Sequence, residues 1–267
     1  MSAIIRDIFS DRQDAGRQLA ALLGRYAARG GEAGGGGATR EGEDGRGGED
    51  AGGEDKRGEV LVAGLARGGV PVAREVAVAL GAPLEVFTVQ KLGVPGQPEL
   101  AMGAIASGGT QVVNDEVIAA AGVSPEEFAV LAAERARELE RRERSFRAGA
   151  GDSSGGGSAA GDSGGGGDSG AGRLDVAGRT VILVDDGLAT GASMRAAIQA
   201  LRKQGTAAVI AAVPVAPLDT CAEISALADH CVCVHTPEPF YSVGAWYQEF
   251  PQVADEEVRA LLSEARG

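Results

Sequence analysis

The sequence predicts an α/β protein built on a parallel sheet with helices on both faces. Three observations carry that expectation. Short apolar segments alternate with helical stretches from Val60 onward. Those segments are apolar at successive positions, as strands covered on both faces are. One of them, 181–184, runs straight into Asp185-Asp186, a turn of small residues and a helix. In open α/β sheets, ligands bind beyond the carboxyl ends of such strands.

The elements follow in order. Asp11 caps an opening helix with Leu19, Leu22, Leu23 and Tyr26 at helical spacing. A strand spans 60–65. Pro71, in a first helical turn, opens a helix that runs to Leu80 and stops at Gly81. A strand over 84–89 and a hairpin over 103–114, turning at Gly108-Gly109, come next. Ser124-Pro125-Glu126-Glu127 is a capping box that starts a long charged helix to about Phe146. After the 181–184 strand come a helix over 193–204, a strand over 209–213, a helix over 218–228 and a strand over 231–235. A loop rich in aromatic residues over 236–252 and a last helix over 255–265 complete the chain.

The 267 residues fit one large domain or two small ones. More than half of the 43 Gly fall in two runs, about 30–58 and 148–172. Such runs bury too little apolar surface to offset their ordering entropy. The expectation is a single domain over 1–267 with two disordered inserts in surface loops, where added length costs little stability. The net charge is −13 and no basic stripe is present, which weighs against a nucleic-acid partner. There is no polybasic membrane anchor, and no apolar run approaches the ~20 residues of a membrane span. The opening Met1-Ser-Ala-Ile-Ile-Arg-Asp lacks a signal-peptide core. Three Cys is an odd number in a chain large enough to build its own core. The expected location is cytoplasmic.

The chemistry concentrates in Val181-Ile-Leu-Val-Asp-Asp-Gly-Leu-Ala-Thr-Gly-Ala-Ser193. The strand delivers Asp185 and Asp186 to its carboxyl end. The turn through Gly187, Ala189, Thr190, Gly191, Ala192 and Ser193 can aim several backbone N–H groups at one anion. The helix dipole there adds about half a positive charge. Two carboxylates suit vicinal hydroxyls, and a phosphate with a diol describes a ribose 5-phosphate. A Walker-type loop needs Lys after its last Gly, where this chain has Ala192, and Gly187 and Gly191 do not give the dinucleotide spacing. Cys231, Cys233 and His235 alternate on one strand, which reads as core packing more simply than as a metal site with Cys221. No Ser-His-Asp set stands out.

The motif at 181–193 resembles the phosphoribosyl pyrophosphate motif of type I phosphoribosyltransferases. Leu65-Ala-Arg67-Gly68-Gly69-Val-Pro71 resembles that family's pyrophosphate loop, where a peptide that is often cis precedes the Gly. Gln90-Lys91-Leu-Gly…Pro-Glu-Leu-Ala resembles the strand-end Lys that leads into a mobile hood loop. The opening Asp11-Arg12-Gln13-Asp14-Ala15-Gly16 and the ending Pro237-Glu-Pro-Phe240 are shared with small bacterial members of unsettled substrate.

The resemblance implies the type I phosphoribosyltransferase fold with a small hood from about 91–114 and 236–252. It implies Mg²⁺ as cofactor, held by Asp185 and Asp186 directly or through water. Phosphoribosyl pyrophosphate and a small nitrogenous, purine-like base are the implied substrates. Arg67, Gly68, Gly69 and Lys91 would bind pyrophosphate. Phe240, Trp246 and Tyr247 would line the base pocket. Asp185, Asp186, Lys91 and Arg67 would carry catalysis. Homo-oligomers are common among the resembling enzymes.

Two departures stand out. Ala189 occupies the place where hypoxanthine-guanine enzymes carry an Asp, so the motif contains no general base, and Glu99 or Glu238 are the candidates outside it. Gln90 replaces an Arg found in many relatives, so one positive charge is missing. Two other readings stay open. One is a non-catalytic sensor of phosphoribosyl pyrophosphate or a nucleotide. The other is hydrolysis of a ribose phosphate at the same site.

Overall fold

The computed structural model describes residues 9–26, 59–147 and 174–265. The two expected inserts lie outside the described residues. Five parallel strands form the main sheet in the order β2-β1-β6-β7-β8. They are β1 (Val60–Leu65), β2 (Leu84–Phe87), β6 (Thr180–Val184), β7 (Ala208–Val215) and β8 (His230–His235). Side chains alternate across the sheet, so each strand feeds two cores. Leu61, Ala63, Val181, Leu183, Val209 and Ala211 pack on one face, beneath α5 (Ala192–Lys203) and α6 (Leu218–Ser225). Val62, Ile182, Val184, Ile210 and Ala212 pack on the other. That second face is covered by α1 (Arg12–Leu23), α2 (Gly69–Leu80) and α7 (Asp255–Glu264). This is the parallel α/β arrangement expected from the apolar strands.

Local chemistry sets the element ends. The Asp11 side chain accepts from the Asp14 amide, the cap expected for α1. Helix α2 begins at Gly69, two residues before Pro71. The first-turn amides of a helix have no intrahelical partner, so Pro at the third position removes nothing. Gly81 closes it in the left-handed conformation, as expected.

The 84–89 segment is not one strand. It divides at Thr88, a buried residue where the chain leaves the parallel sheet. Beyond it, β3 (Val89–Val94), β4 (Gln97–Ala106) and β5 (Thr110–Val113) form a separate antiparallel sheet. The expected hairpin is present, but β4 starts six residues earlier than the hairpin reading. The segment expected as a mobile loop is thus mostly paired strand. Its backbone amides find partners across the β3–β4 ladder, which a motif reading does not count. Two helices cover this sheet, α3 (Asp115–Ala121) and α4 (Pro125–Arg147). Helix α3 was not expected, although Asn114 caps it by accepting from the Val117 amide at 3.2 Å. Leu92, Met102, Ile105, Ala132 and Leu139 give the hood its own small core. Among the described residues, no helix is long and apolar enough to cross a membrane.

A buried polar latch ties hood to body. Ser107 Oγ accepts from the Thr88 amide at 2.8 Å and donates to the Glu143 carboxylate of α4. Burial pushes the Glu143 carboxyl above its ordinary range. The Ser107 hydrogen bond and Arg147 oppose this, while Glu140 and Glu85 add to it. A carboxyl whose folded pKa is raised binds protons more tightly when folded. Its contribution therefore lowers stability as pH climbs from the ordinary carboxylate value through the raised one. Wild-type stability is expected to fall across that window. Glu143→Gln, which keeps an acceptor for Ser107, is expected to fall less steeply. Urea unfolding of both proteins between about pH 4 and 8 checks this, and equal slopes would place the titration elsewhere.

Candidate functional site

Strands β1 and β6 are neighbours, but the chain leaves them in different directions. Helix α2 lies on one face of the sheet and α5 on the other. Their carboxyl ends therefore open the crevice in which α/β sheets bind ligands. The loop after β1 and the acid pair after β6 meet there. A Cβ on Gly68 would stand 2.6 Å from Cγ of Asp186, and one on Gly69 would stand 2.9 Å from Cα of Asp185. The loop after β1 thus lies directly against the acid pair. Its Ala66–Arg67 peptide is cis.

Burial and the adjacent Asp186 hold the Asp185 carboxyl well above the ordinary range. Burial raises Asp186 too, opposed by Arg12. Asp185 Oδ1 accepts from the Asp186 amide at 2.9 Å. Arg12, buried on α1, places Nε 2.8 Å from Asp186 Oδ2. The same guanidinium donates to the Pro251 carbonyl at 2.7 Å and sits 3.8 Å from the centre of the Phe250 ring.

The turn after the pair is anchored from behind and open in front. The Leu188 amide donates to Val215 O at 2.9 Å, and Thr220 Oγ1 donates to Ala189 O at 3.1 Å. Gly191 takes a left-handed φ of 69° at the cap of α5, a conformation that favours glycine. Ala189, Thr190, Ala192 and Ser193 are exposed. The amides of Ala189, Thr190, Gly191 and Ser193 meet no acceptor among the described residues. Unpaired amides at a helix N-terminus can receive an anion.

The other expected residues are placed differently. Arg67 Nη1 lies 3.3 Å from Asp255 Oδ1. Lys91 lies within β3, where it donates to the Glu99 carbonyl and faces the Glu99 carboxylate at 3.7 Å. Tyr247 is buried, its ring tilted against those of Phe9 and Phe250 with centres 5.3 and 4.8 Å away, and its hydroxyl donates to the carbonyl of Asp186. It supports the acid pair from beneath. Burial, and then the charge of Asp186, hold its hydroxyl well above the ordinary range. Phe240 and Trp246 are half-buried against the cluster of Phe9, Ala15, Val215 and Tyr247. Trp246 Nε1 is buried with no acceptor among the described residues. Val243, in the same segment, covers Gly187. Cys221, Cys231 and Cys233 are free thiols; the Cys231 hydrogen bond lowers the Cys221 thiol, but Cys233 and burial outweigh it and push it up to about 12. Among the described residues, no group of three or more His, Cys, Asp or Glu could hold a metal ion.

Sequence reasoning assigned no role to Arg12, Thr220, Phe250, Arg142 or Asp255. Arg12 left a signal. It shares a helical face with Ala15, Gly16, Leu19 and Leu23, all buried, and an Arg on such a face requires a buried acid partner.

Fold and site together define an α/β protein with a carboxylate pair and an anion-receptive turn at a single crevice. The chain belongs to the phosphoribosyl transferase domain family, whose model matches residues 50–245. Two Mycobacterium tuberculosis proteins, from different strains and each provisionally named a phosphoribosyl transferase, are 39% identical over 260 residues. The match covers 97% of this chain and 47% of theirs, so the chain spans about half the length of these relatives. The crystal structure of TT1426 from Thermus thermophilus is 32% identical with a TM-score of 0.67. That match covers 97% of this chain and 100% of the other.

Proposed function

We propose that the chain transfers the 5-phosphoribosyl group of phosphoribosyl pyrophosphate to a ring nitrogen of a purine-like base, releasing pyrophosphate. One observation carries the reading. The 65–71 loop and the 181–193 turn, assigned to pyrophosphate and ribose phosphate from sequence, converge on one carboxylate pair across one crevice. In the reaction the bond from C1 to the pyrophosphate oxygen breaks, and its electron pair leaves with pyrophosphate. A bond from the base nitrogen to C1 forms, and the nitrogen's proton passes to solvent or a nearby base.

The protein's part is positioning and charge compensation. The turn amides and the hydroxyls of Thr190 and Ser193 receive the 5-phosphate. Asp185 and Asp186 orient the ribose hydroxyls. Arg67 with the Gly68 and Gly69 amides receives the pyrophosphate, and Lys91 joins them once released from Glu99. Phe240 and Trp246, each with part of its surface open, border the base.

The site offers two adjacent carboxylates, a hard oxygen donor set that fits Mg²⁺ keeping several of its waters. Mg²⁺ held there would offset the negative charge of the diphosphate. Glu99, which faces Lys91 at 3.7 Å, and Glu238 are exposed carboxylates outside the motif and remain the candidates to take the proton of the base.

The test is calorimetric titration of magnesium phosphoribosyl pyrophosphate, then pyrophosphate release with a panel of bases. Binding with base-dependent release is the expected result. Binding with no release for any base would establish a sensor, and product without added base would establish a hydrolase. Absence of binding would refute the reading.

A further inference from the structure

Asp255, the first residue of α7, holds two arginines at one oxygen. Its Oδ1 lies 3.3 Å from Arg67 Nη1 and 3.3 Å from Arg142 Nη2. Arg67 comes from the loop after β1, and Arg142 from the later half of α4. Two guanidinium groups from unconnected elements thus converge on one anion, and one of them belongs to the residue that precedes Gly68.

The contact is exchangeable. The side chains of Arg67, Arg142 and Asp255 are 30%, 43% and 36% exposed. Ion pairs so open to water contribute little, because solvent screens them. A diphosphate brings more charge and several oxygens, and guanidinium groups bind such oxygens in parallel pairs. It would outcompete a single carboxylate for both arginines.

Helix α4 also packs against β3 beside Lys91, the other expected pyrophosphate cation. Gln90, next to Lys91 on β3, donates from Nε2 to Glu138 Oε2 at 3.1 Å. Glu138 and Arg142 are four residues apart on α4, one above the other on the same face. The face of α4 that meets β3 beside Lys91 therefore also carries Arg142. Phe146, one turn further, lies 5.6 Å from the Arg142 guanidinium and steadies it.

We propose that Arg142 is a second pyrophosphate-binding arginine beside Arg67, and that Asp255 is the resident counter-ion which the diphosphate displaces. The inference rests on the proposed function, because it assumes that the loop after β1 receives a diphosphate.

Two probes test it by calorimetry, magnesium pyrophosphate and ribose 5-phosphate, with thermal melts to confirm that every variant is folded. Arg142→Gln is expected to weaken pyrophosphate binding on the order of tenfold and to leave ribose 5-phosphate unchanged. Arg142→Lys should fall between the two proteins, and Asp255→Asn should bind pyrophosphate more tightly than wild type. Unchanged pyrophosphate affinity in Arg142→Gln overturns the inference, as do equal losses for both probes. In either case wild-type binding of the two probes leaves the proposed function standing. Wild-type protein that binds neither probe overturns the proposed function and the inference with it.

Discussion

Changing Asp185 and Asp186 together to Asn is expected to abolish binding of magnesium phosphoribosyl pyrophosphate while the protein stays folded. The two halves of this prediction share one cause. Two carboxylates adjacent in sequence and buried at the end of β6 are costly to ionise, and the raised pKa of each expresses that cost. Amides carry no such penalty, which offsets the loss of the counter-charge that Asp186 gives the buried Arg12. Asn at 186 also keeps an oxygen to accept from Arg12 Nε, and Asn at 185 keeps one for the amide of residue 186, so the local hydrogen bonds survive. What disappears is the charge that a ribose diol or Mg²⁺ would meet. Hydrogen bonds to charged groups are worth about 1.5–3 kcal/mol each, so losing both carboxylates should reduce affinity on the order of a hundredfold or more. Calorimetry and a thermal melt on one sample check both halves. A double variant that binds normally would remove the 181–193 motif from the site. One that unfolds would make the pair a structural feature.

The parts of the site that could be read from sequence were those encoded by consecutive residues. The 181–193 motif contains its strand, its acids, its turn and its helix start in one stretch, because a strand, a tight turn and a helix N-terminus are local structures. The apolar strands and the caps at Asp11 and Gly81 were legible for the same reason. Contacts made by residues distant in sequence were not. Arg12 reaches Asp186 only because the N- and C-terminal segments meet, with Phe9 donating to Trp246 O at 2.9 Å and accepting from Gln248 at 2.8 Å. That meeting also brings Phe250 onto Arg12 and Tyr247 under the pair. Aromatic residues concentrated in the 236–252 segment could be assigned equally to a pocket or to a small satellite core. Tyr247 sits in the core, while Phe240 and Trp246 keep part of their surface open. Arg142 gave no signal, since α4 carries several other arginines at positions that look equivalent without the fold.

The two glycines of the 65–71 loop should separate function from stability. Gly68 has φ −60° and ψ −31°, a backbone conformation open to any residue, so its need is for space alone. An alanine Cβ would overlap the Asp186 carboxylate, 2.6 Å from its Cγ. That short side chain is pinned by Arg12 and can escape only by leaving its partner and its place in the site. Gly68→Ala is therefore expected to lose magnesium phosphoribosyl pyrophosphate binding nearly as completely as the double Asn variant, with a smaller loss of stability than Gly69→Ala. At Gly69 the added Cβ meets backbone instead, the carbonyl of Val184 and Cα of Asp185 at 2.9 Å. Neither can yield without separating β1 from β6, so Gly69→Ala should cost about 1–3 kcal/mol of stability, as overpacked interiors do. Urea unfolding and calorimetric titration of the two variants give the comparison. If Gly68→Ala binds as wild type does, then Asp186 can move without consequence and the close approach of the two loops is not what shapes the site.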